Sequence, residues 1–152
     1  MPKRLFIICP FSCLEPVLKK EFGKSIYFLT SPLASVEIAD LQFQNALKCI
    51  IETEKITEII MVNSTTCRFI NGVINNLKQS HNASVEVLQE LFNKNYKTEF
   101  NGLSIKEQAY KLAELNISYY TLEILQSNIL GSYILTNNIE IVGLIISENR
   151  TI

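Results

Sequence analysis

The sequence predicts an α/β protein with three layers, in which helices cover both faces of a mostly parallel sheet of about four to five strands. The run of apolar, β-branched residues at 5–9 is typical of a strand buried on both faces, and the run at 139–146 predicts a further strand. Stretches with helical spacing of apolar residues alternate with these and other short strands. A chain of 152 residues suits one domain, because a domain of that size buries roughly 70% of its unfolded surface. We therefore expect a single domain over residues 1–152.

The first third of the chain predicts a strand, a helix and a second strand. The apolar run at 5–9 is the first strand, and the helix follows at 14–22, with Pro16 in its first turn and Gly23 at its end. A short strand is expected at 25–29. This order of elements is a β-α-β unit.

The middle of the chain predicts a helix, a strand and a further helix. Asp40 is a suitable N-cap for the first helix, and the strand is expected at 56–62. The next helix follows Thr65 or Thr66 as its N-cap and carries Cys67 in its first turn. The apolar face of the first helix is formed by residues at helical spacing, namely Phe43, Ala46, Leu47 and Ile50. Cys49 lies in the same helix and is expected to pack in the core.

Three helices and a strand are predicted for the rest of the chain. A helix is expected at 84–92, and Ser104 with Glu107 fits a capping box that begins a second helix ending near Leu115. A third is expected at 118–130, with Leu122, Leu125 and Ile129 in register. The strand at 139–146 closes the sheet in a direction that the pattern leaves open.

Composition excludes several classes of function. Fourteen basic and fifteen acidic side chains give a net charge of -1, without the basic surface that binds a phosphate backbone, so nucleic acid is excluded as a partner. No apolar run is long enough for a signal peptide or a membrane span, which predicts no membrane partner and a cytoplasmic protein. Hydrophobic residues make up 47% of the chain and charged residues 19%, which favours self-association.

Two predicted strands end in turns that carry cysteines. The first strand leads into Cys9-Pro10-Phe11-Ser12-Cys13, and the strand at 56–62 leads into Asn63-Ser64-Thr65-Thr66-Cys67. Ligands and catalytic groups collect at the carboxyl ends of strands in a parallel sheet, so these turns predict a site. Cysteines of a cytoplasmic protein stay reduced, which makes these thiols core residues, metal ligands or nucleophiles.

The chain resembles the β-class carbonic anhydrases over its whole length, except for that family's N-terminal helical arm, which is expected to be absent. Gly23 and the short strand after it fit the family's Gly-Asp and following strand. The C-terminal half carries the most specific similarity, to a conserved Asn-Val, a helix, a Ser-Pro-hydrophobic segment and a Leu-x-Ile-x-Gly strand. These matching residues are Ala113, Asn116, Ile117, Leu122, Leu125, 127–130 and 139–143.

The resemblance implies a zinc site that this sequence does not complete. In the family, a first strand ends in Cys-x-Asp-Ser-Arg and another in His-x-x-Cys-Gly, and the two cysteines and the histidine hold zinc. Cys9 and Cys67 match the two cysteines. Phe11 stands at the aspartate position and Cys13 at the arginine position. Ser64 stands at the zinc-histidine position, and Arg68 replaces the glycine.

These departures predict a non-catalytic pseudoenzyme that binds a small molecule in the former active-site cleft or has a regulatory role. No confident catalytic residue remains. Two thiolates without the histidine bind zinc more weakly and make bound water less acidic. Phe11 neither accepts a hydrogen bond nor exchanges protons. The alternative is a divergent zinc-dependent lyase or hydrolase of the carbonate dehydratase type, in which Cys13 joins Cys9 and Cys67 as a third ligand.

Two further expectations concern reactivity and assembly. Cys67, near a helix start and beside Arg68, has a setting that lowers a thiol pKa, although a buried and inert thiol is the interpretation we favour. His81 is expected to be a solvated residue between two helices rather than a ligand or base. The resemblance implies a homodimer or a higher homo-oligomer.

Overall fold

The sheet at the centre of the molecule has four strands. In the computed structural model, which describes residues 1–147, the strands are β1 (Arg4–Ile8), β2 (Ile26–Thr30), β3 (Glu58–Ser64) and β4 (Glu140–Ile146). Their order across the sheet is β2-β1-β3-β4 and every pair is parallel. The α/β class and the number of strands predicted from the sequence are confirmed, and β4 runs parallel to β3.

Six α-helices accompany the strands, and short turns of 3-10 or π type join some of them. The 3-10 turns are Pro10–Ser12 and Pro32–Ala34, and the π turn is Tyr96–Phe100. The helices are α1 (Glu15–Phe22), α2 (Leu41–Glu54), α3 (Arg68–Ile74), α4 (Ala83–Asn95), α5 (Ile105–Gln126) and α6 (Leu130–Thr136).

Alternate residues of the strands face two different apolar layers, because side chains alternate across a sheet. Leu5, Ile7, Ile59 and Met61 pack with buried residues of α2, α5 and α6. Phe6, Ile8, Ile60 and Val62 pack on the other face, with Leu18 of α1. The three-layer arrangement expected from the sequence is therefore confirmed.

One long helix replaces two that the sequence predicts. Helix α5 continues without a break through the boundary expected between 115 and 118, and α6 is a separate short helix. Asn116 looks like a helix-ending residue but is fully buried, and its side chain bonds to atoms outside its own helix. Leu122, predicted to face the core, is 54% exposed.

The apolar face predicted for α2 is partly wrong. Ile50 is 43% exposed, and the Cys49 thiol, predicted to pack in the core, is exposed. The inward positions include Gln44, whose Oε1 accepts hydrogen bonds from the backbone N–H groups of Ile129 and Leu130. The buried face of α2 therefore runs through Gln44, Leu47 and Ile51 and does not include Cys49.

Two predicted N-caps are confirmed. The Asp40 carboxylate accepts a hydrogen bond from the Gln42 N–H at the start of α2, and the Ser104 hydroxyl accepts one from the Glu107 N–H at the start of α5. Across residues 1–147, no helix combines the length and hydrophobicity needed to cross a membrane.

Candidate dithiol site at the strand ends

Strand β1 delivers Cys9 directly into a tight turn. Cys9 is still extended, at φ -78° and ψ 130°, and it is 5% exposed. The turn folds back because the Ser12 N–H and hydroxyl both donate to the Cys9 carbonyl, at 3.1 and 2.6 Å. Cys13 closes the turn in the left-handed region, at φ 53°, with its thiol exposed.

Strand β3 ends at Ser64, and Cys67 follows as the N-cap of α3. The Ser64 hydroxyl lies 2.8 Å from that of Thr66 and accepts a hydrogen bond from the Thr66 N–H. The prediction that Thr65 or Thr66 caps α3 is wrong, because the hydroxyl of Thr66 is engaged with Ser64 and that of Thr65 bonds to the end of β4. Cys67 is 9% exposed and belongs to the same apolar cluster as Cys9.

The Cys9 and Cys67 thiols lie in one apolar cluster and shift each other's pKa. Interaction with the Cys67 thiol is the main reason that the pKa of Cys9 falls to about 6, and the backbone at Leu33 and Phe11 lowers it further while burial opposes these effects. The same interaction and burial raise the pKa of Cys67. The pair therefore releases its first proton easily and holds the second, so the acidic thiol is Cys9, and Cys67 is the buried thiol that we favoured over an acidic one.

A strained turn supports the Cys9 sulfur from a third direction. In the Pro32–Ala34 turn, Leu33 lies at φ 60° and Ala34 at φ 55°, a region unusual for residues other than glycine. Leu33 lies in the same apolar cluster as Cys9, and its backbone is one of the causes that lower the pKa of Cys9. Such strain persists only where the surrounding structure holds it in place.

Two buried asparagines hold that turn. Asn63 and Asn116 both donate from their side-chain amides to the Leu33 carbonyl, at 3.3 and 2.9 Å. Asn116 also donates to Asn63 Oδ1 at 2.7 Å, while its own Oδ1 has no hydrogen-bond partner in the part of the chain that the structure describes. This network links β3 and α5 to the turn that touches Cys9.

Phe11 does not fill the interior of the site. Its side chain is 54% exposed, and its ring meets the edge of Phe69 at a centroid distance of 5.5 Å. The Arg68 guanidinium lies 4.0 Å from the Phe11 ring centroid and 4.8 Å from that of Phe69. The three side chains form a cation–aromatic stack at the surface beside the two cysteines.

A groove of about 490 Å³ opens beside the first cysteine turn. Cys9 and Cys13 both contribute to its wall, and Leu14, Pro16 and Lys19 continue it along the start of α1. The structure therefore gives Cys9 a route to small molecules, although little of its surface is exposed.

The donor set around the two cysteines is too small for the zinc centre that the resemblance implies. Among residues 1–147, no three histidine, cysteine or acidic side chains lie close enough together to hold a metal ion, so Cys13 does not join Cys9 and Cys67. A catalytic zinc site needs three protein ligands and one open position. Ser64 supplies only a hydroxyl that already bonds to Thr66.

The remaining sequence candidate lies outside the site. The His81 side chain is 89% exposed and pairs with Glu86 at 2.9 Å, as expected of a solvated residue. Sequence reasoning missed Leu33, Asn63 and Asn116 as site residues. A polar Asn63 at the end of an apolar strand and Asn116 within a helix were the signals that pointed to them.

Comparison with known proteins gives matches in structure alone. No family model matches the sequence, and no curated protein matches it. The fold superposes on the β-carbonic anhydrase CafA of the fungal pathogen Aspergillus fumigatus, with a TM-score of 0.81 and 17% identity over 99% of this chain and 73% of that one.

Two further solved structures give the same result. A tetrameric β-carbonic anhydrase of the filamentous ascomycete Sordaria macrospora matches with a TM-score of 0.77 and 13% identity, over 96% of this chain and 76% of that one. The Coccomyxa β-carbonic anhydrase in complex with acetazolamide matches with a TM-score of 0.76 and 18% identity, over 99% of this chain and 70% of that one. This chain has the β-carbonic anhydrase fold. Identities this low establish the fold alone.

Proposed function

We propose that this protein is a non-catalytic, carbonic-anhydrase-like protein whose strand-end site binds a small molecule. The observation that carries the proposal is the small donor set around Cys9 and Cys67, because among the described residues no third histidine, cysteine or acidic side chain lies close enough to complete a metal site.

The chemistry of hydration explains why this donor set favours a non-catalytic role. A catalytic zinc lowers the pKa of its bound water to about 7, which provides hydroxide at neutral pH. A site with two thiols lacks the neutral nitrogen donor and carries more negative charge, so it acidifies water less. Phe11 occupies the place of a proton-exchanging carboxylate and stacks at the surface with Arg68 instead.

The groove beside Cys9 is the proposed ligand cleft. Leu14 and Pro16 give it an apolar wall, and Glu15 and Lys19 place opposite charges in it. This combination suits a small organic molecule with both apolar and polar groups, since binding sites commonly join an apolar lining with a few polar groups.

We also propose that the protein is a homo-oligomer. Strand β4 lies at an edge of the sheet, and its Val142 side chain is 36% exposed. Exposed apolar strands at a sheet edge favour pairing with another chain, and the Sordaria macrospora β-carbonic anhydrases are described as tetrameric. Size-exclusion chromatography with light scattering tests this proposal, and a monomer at all concentrations would refute it.

Zinc analysis of the freshly purified protein, followed by a CO2 hydration assay with zinc supplied, tests the proposed function. We expect substoichiometric zinc and no hydration above background. The variant Ser64→His restores an imidazole to the two thiols, and three such ligands are what a catalytic zinc site requires. We expect this variant to bind one zinc ion per chain.

The matched control is Thr66→His, which adds an imidazole two positions away at an exposed residue and is expected to leave the zinc content low. Stoichiometric zinc in the unaltered protein, lost in both Cys9→Ser and Cys67→Ser, would overturn the proposal. That result would instead support a divergent zinc-dependent lyase or hydrolase.

A further inference from the structure

We propose that Cys9 and Cys67 form a reversible intramolecular disulfide when the protein meets hydrogen peroxide or a small organic hydroperoxide. The inference rests on the proposed function in one respect, namely that zinc does not occupy the two thiols. It assigns the strand-end site a redox modification in addition to ligand binding.

The first support is the position of the two thiols. They come from turns that follow adjacent parallel strands, and both side chains are buried in one apolar cluster. Disulfide formation requires two sulfurs that approach to about 2.05 Å on compatible backbones. Turns at the same edge of neighbouring strands, with both cysteines in one cluster, bring the two thiols to one place in the fold and favour that approach.

The second support is the groove beside Cys9, because exposure alone, 5% for Cys9 and 9% for Cys67, does not separate the two cysteines. Cys9 lies in the wall of the groove beside α1, so a molecule as small as a peroxide reaches it from solvent. Cys67 is buried with Cys9, Phe69 and Ile70 in the apolar cluster beneath α3. Cys9 is therefore the thiol that reacts with the peroxide, and Cys67 is the thiol that then attacks the oxidised Cys9 sulfur.

The reaction proceeds in two balanced steps. The Cys9 thiolate attacks one peroxide oxygen, so that an S–O bond forms, the O–O bond breaks, and the leaving oxygen takes a proton and departs as water or an alcohol. Cys67 then gives up its proton and attacks the Cys9 sulfur, so that the S–S bond forms and the S–O bond breaks with loss of water. The two sulfurs supply both electrons, and an added dithiol reverses the change by exchange.

Cys13 is the competing partner, since it lies four positions from Cys9 and shares the groove. It is exposed, whereas Cys67 is buried in the same apolar cluster as Cys9. The geometry therefore favours Cys67, and the experiment separates the two.

The test uses a variant that carries Cys13→Ser and Cys49→Ser, which removes the two exposed thiols and leaves the buried pair. The variant and the unaltered protein are treated with hydrogen peroxide, alkylated under denaturing conditions and mapped by mass spectrometry. We expect the number of free thiols in the variant to fall from two to zero, with one Cys9–Cys67 linkage that dithiothreitol removes. The unaltered protein should give the same linkage.

Three results would overturn the inference: a Cys9–Cys13 linkage in the unaltered protein, sulfinic acid at Cys9 without a linkage, or two unchanged thiols in the variant. Zinc is measured beforehand, and the assay is repeated after dialysis against a chelator. Stoichiometric zinc would refute the proposed function, whereas failure of the chelated, metal-free sample to form the linkage would refute this inference.

Discussion

Strands β1 and β3 have polar side chains at or near both ends, but the side chains at the two ends differ in their exposure to solvent. At the amino ends, Arg4 and Glu58 form an ion pair whose side chains are 24% and 21% exposed. At the carboxyl ends, Cys9, Asn63 and Cys67 are each less than one-tenth exposed. The first pair remains in contact with water, and the second group depends on protein partners.

This difference separates polar groups that water can hydrogen-bond from buried polar groups that need hydrogen-bond partners within the protein. A surface ion pair contributes little, because water replaces either partner. A buried donor or acceptor that loses its partner costs the full desolvation of that group. Substitutions at the carboxyl ends should therefore change stability and chemistry together, and those at the amino ends should change neither by much.

The largest expected effect is on the titration of the carboxyl-end thiols. With a pKa of about 6 against an ordinary value of 9.0, Cys9 should be a thiolate at neutral pH, which is roughly a thousandfold change in the ionisation equilibrium. We expect ultraviolet thiolate absorbance to appear near pH 6 and to vanish in Cys9→Ser but persist in Cys49→Ser. Absorbance that begins only near the ordinary value would contradict this prediction.

The same shifts predict how stability depends on pH. A lowered pKa in the folded state makes the Cys9 contribution complete above the unfolded value of 9.0 and absent once the pH falls below about 6. The raised pKa of Cys67 has the opposite effect, because it lowers the free energy of unfolding as the pH rises above 9.0. Urea unfolding should therefore show the stability advantage over Cys9→Ser rising between pH 6 and 9 and then declining.

The next effect in size concerns Asn116. Asn116→Leu keeps the volume but removes the donors to the Leu33 carbonyl and Asn63 Oδ1. An unsatisfied buried group costs about 1–3 kcal/mol, so urea unfolding should show a loss in that range. The turn at Leu33 should also loosen, which would raise the Cys9 pKa.

The matched control for Asn116 is Asn137→Leu, at an exposed asparagine that donates only to the Tyr133 carbonyl of its own helix. We expect a change within about 0.5 kcal/mol for such a surface site. Equal losses of stability in the two variants would mean that the buried asparagine network contributes no more to stability than an exposed asparagine does.

Arg68 should have a smaller effect, because it lies at the surface of the site. Arg68→Gln removes the guanidinium from the Phe11 and Phe69 rings, and exposed cation–aromatic contacts contribute about 0.5–1 kcal/mol. Thermal or urea unfolding measures this loss, with Lys24→Gln at an exposed position as the control. No difference between the two variants would show that the stack adds nothing to stability.

The sequence predicted the sheet better than it predicted the site, and the reason is physical. Apolar β-branched runs identify β1 and β3 because burial on both faces leaves few other compositions, and a similar run identifies β4 although most of its residues are only partly buried or exposed. The turns that carry Cys9 and Cys67 were predicted to form a site because both follow strands, but the hydrogen bonds from Asn63 and Asn116 to the Leu33 carbonyl depend on how a separate turn folds, and the pattern does not encode them. The buried roles of Gln44 and Asn116 were not predicted, since a polar residue is buried only when a distant backbone group needs it.

The smallest expected effect is at the amino ends of the strands. Glu58→Gln removes the charge that pairs with Arg4 but keeps an acceptor of similar size. Partly exposed pairs contribute about 0–1 kcal/mol and are screened by salt, so the variant should lose little stability in urea, and less at high salt. The thiolate titration of Cys9 should not move. If Glu58→Gln shifted that titration, the two ends of β1 and β3 would be coupled through the sheet, and the separation between a solvated end and a functional end would fail.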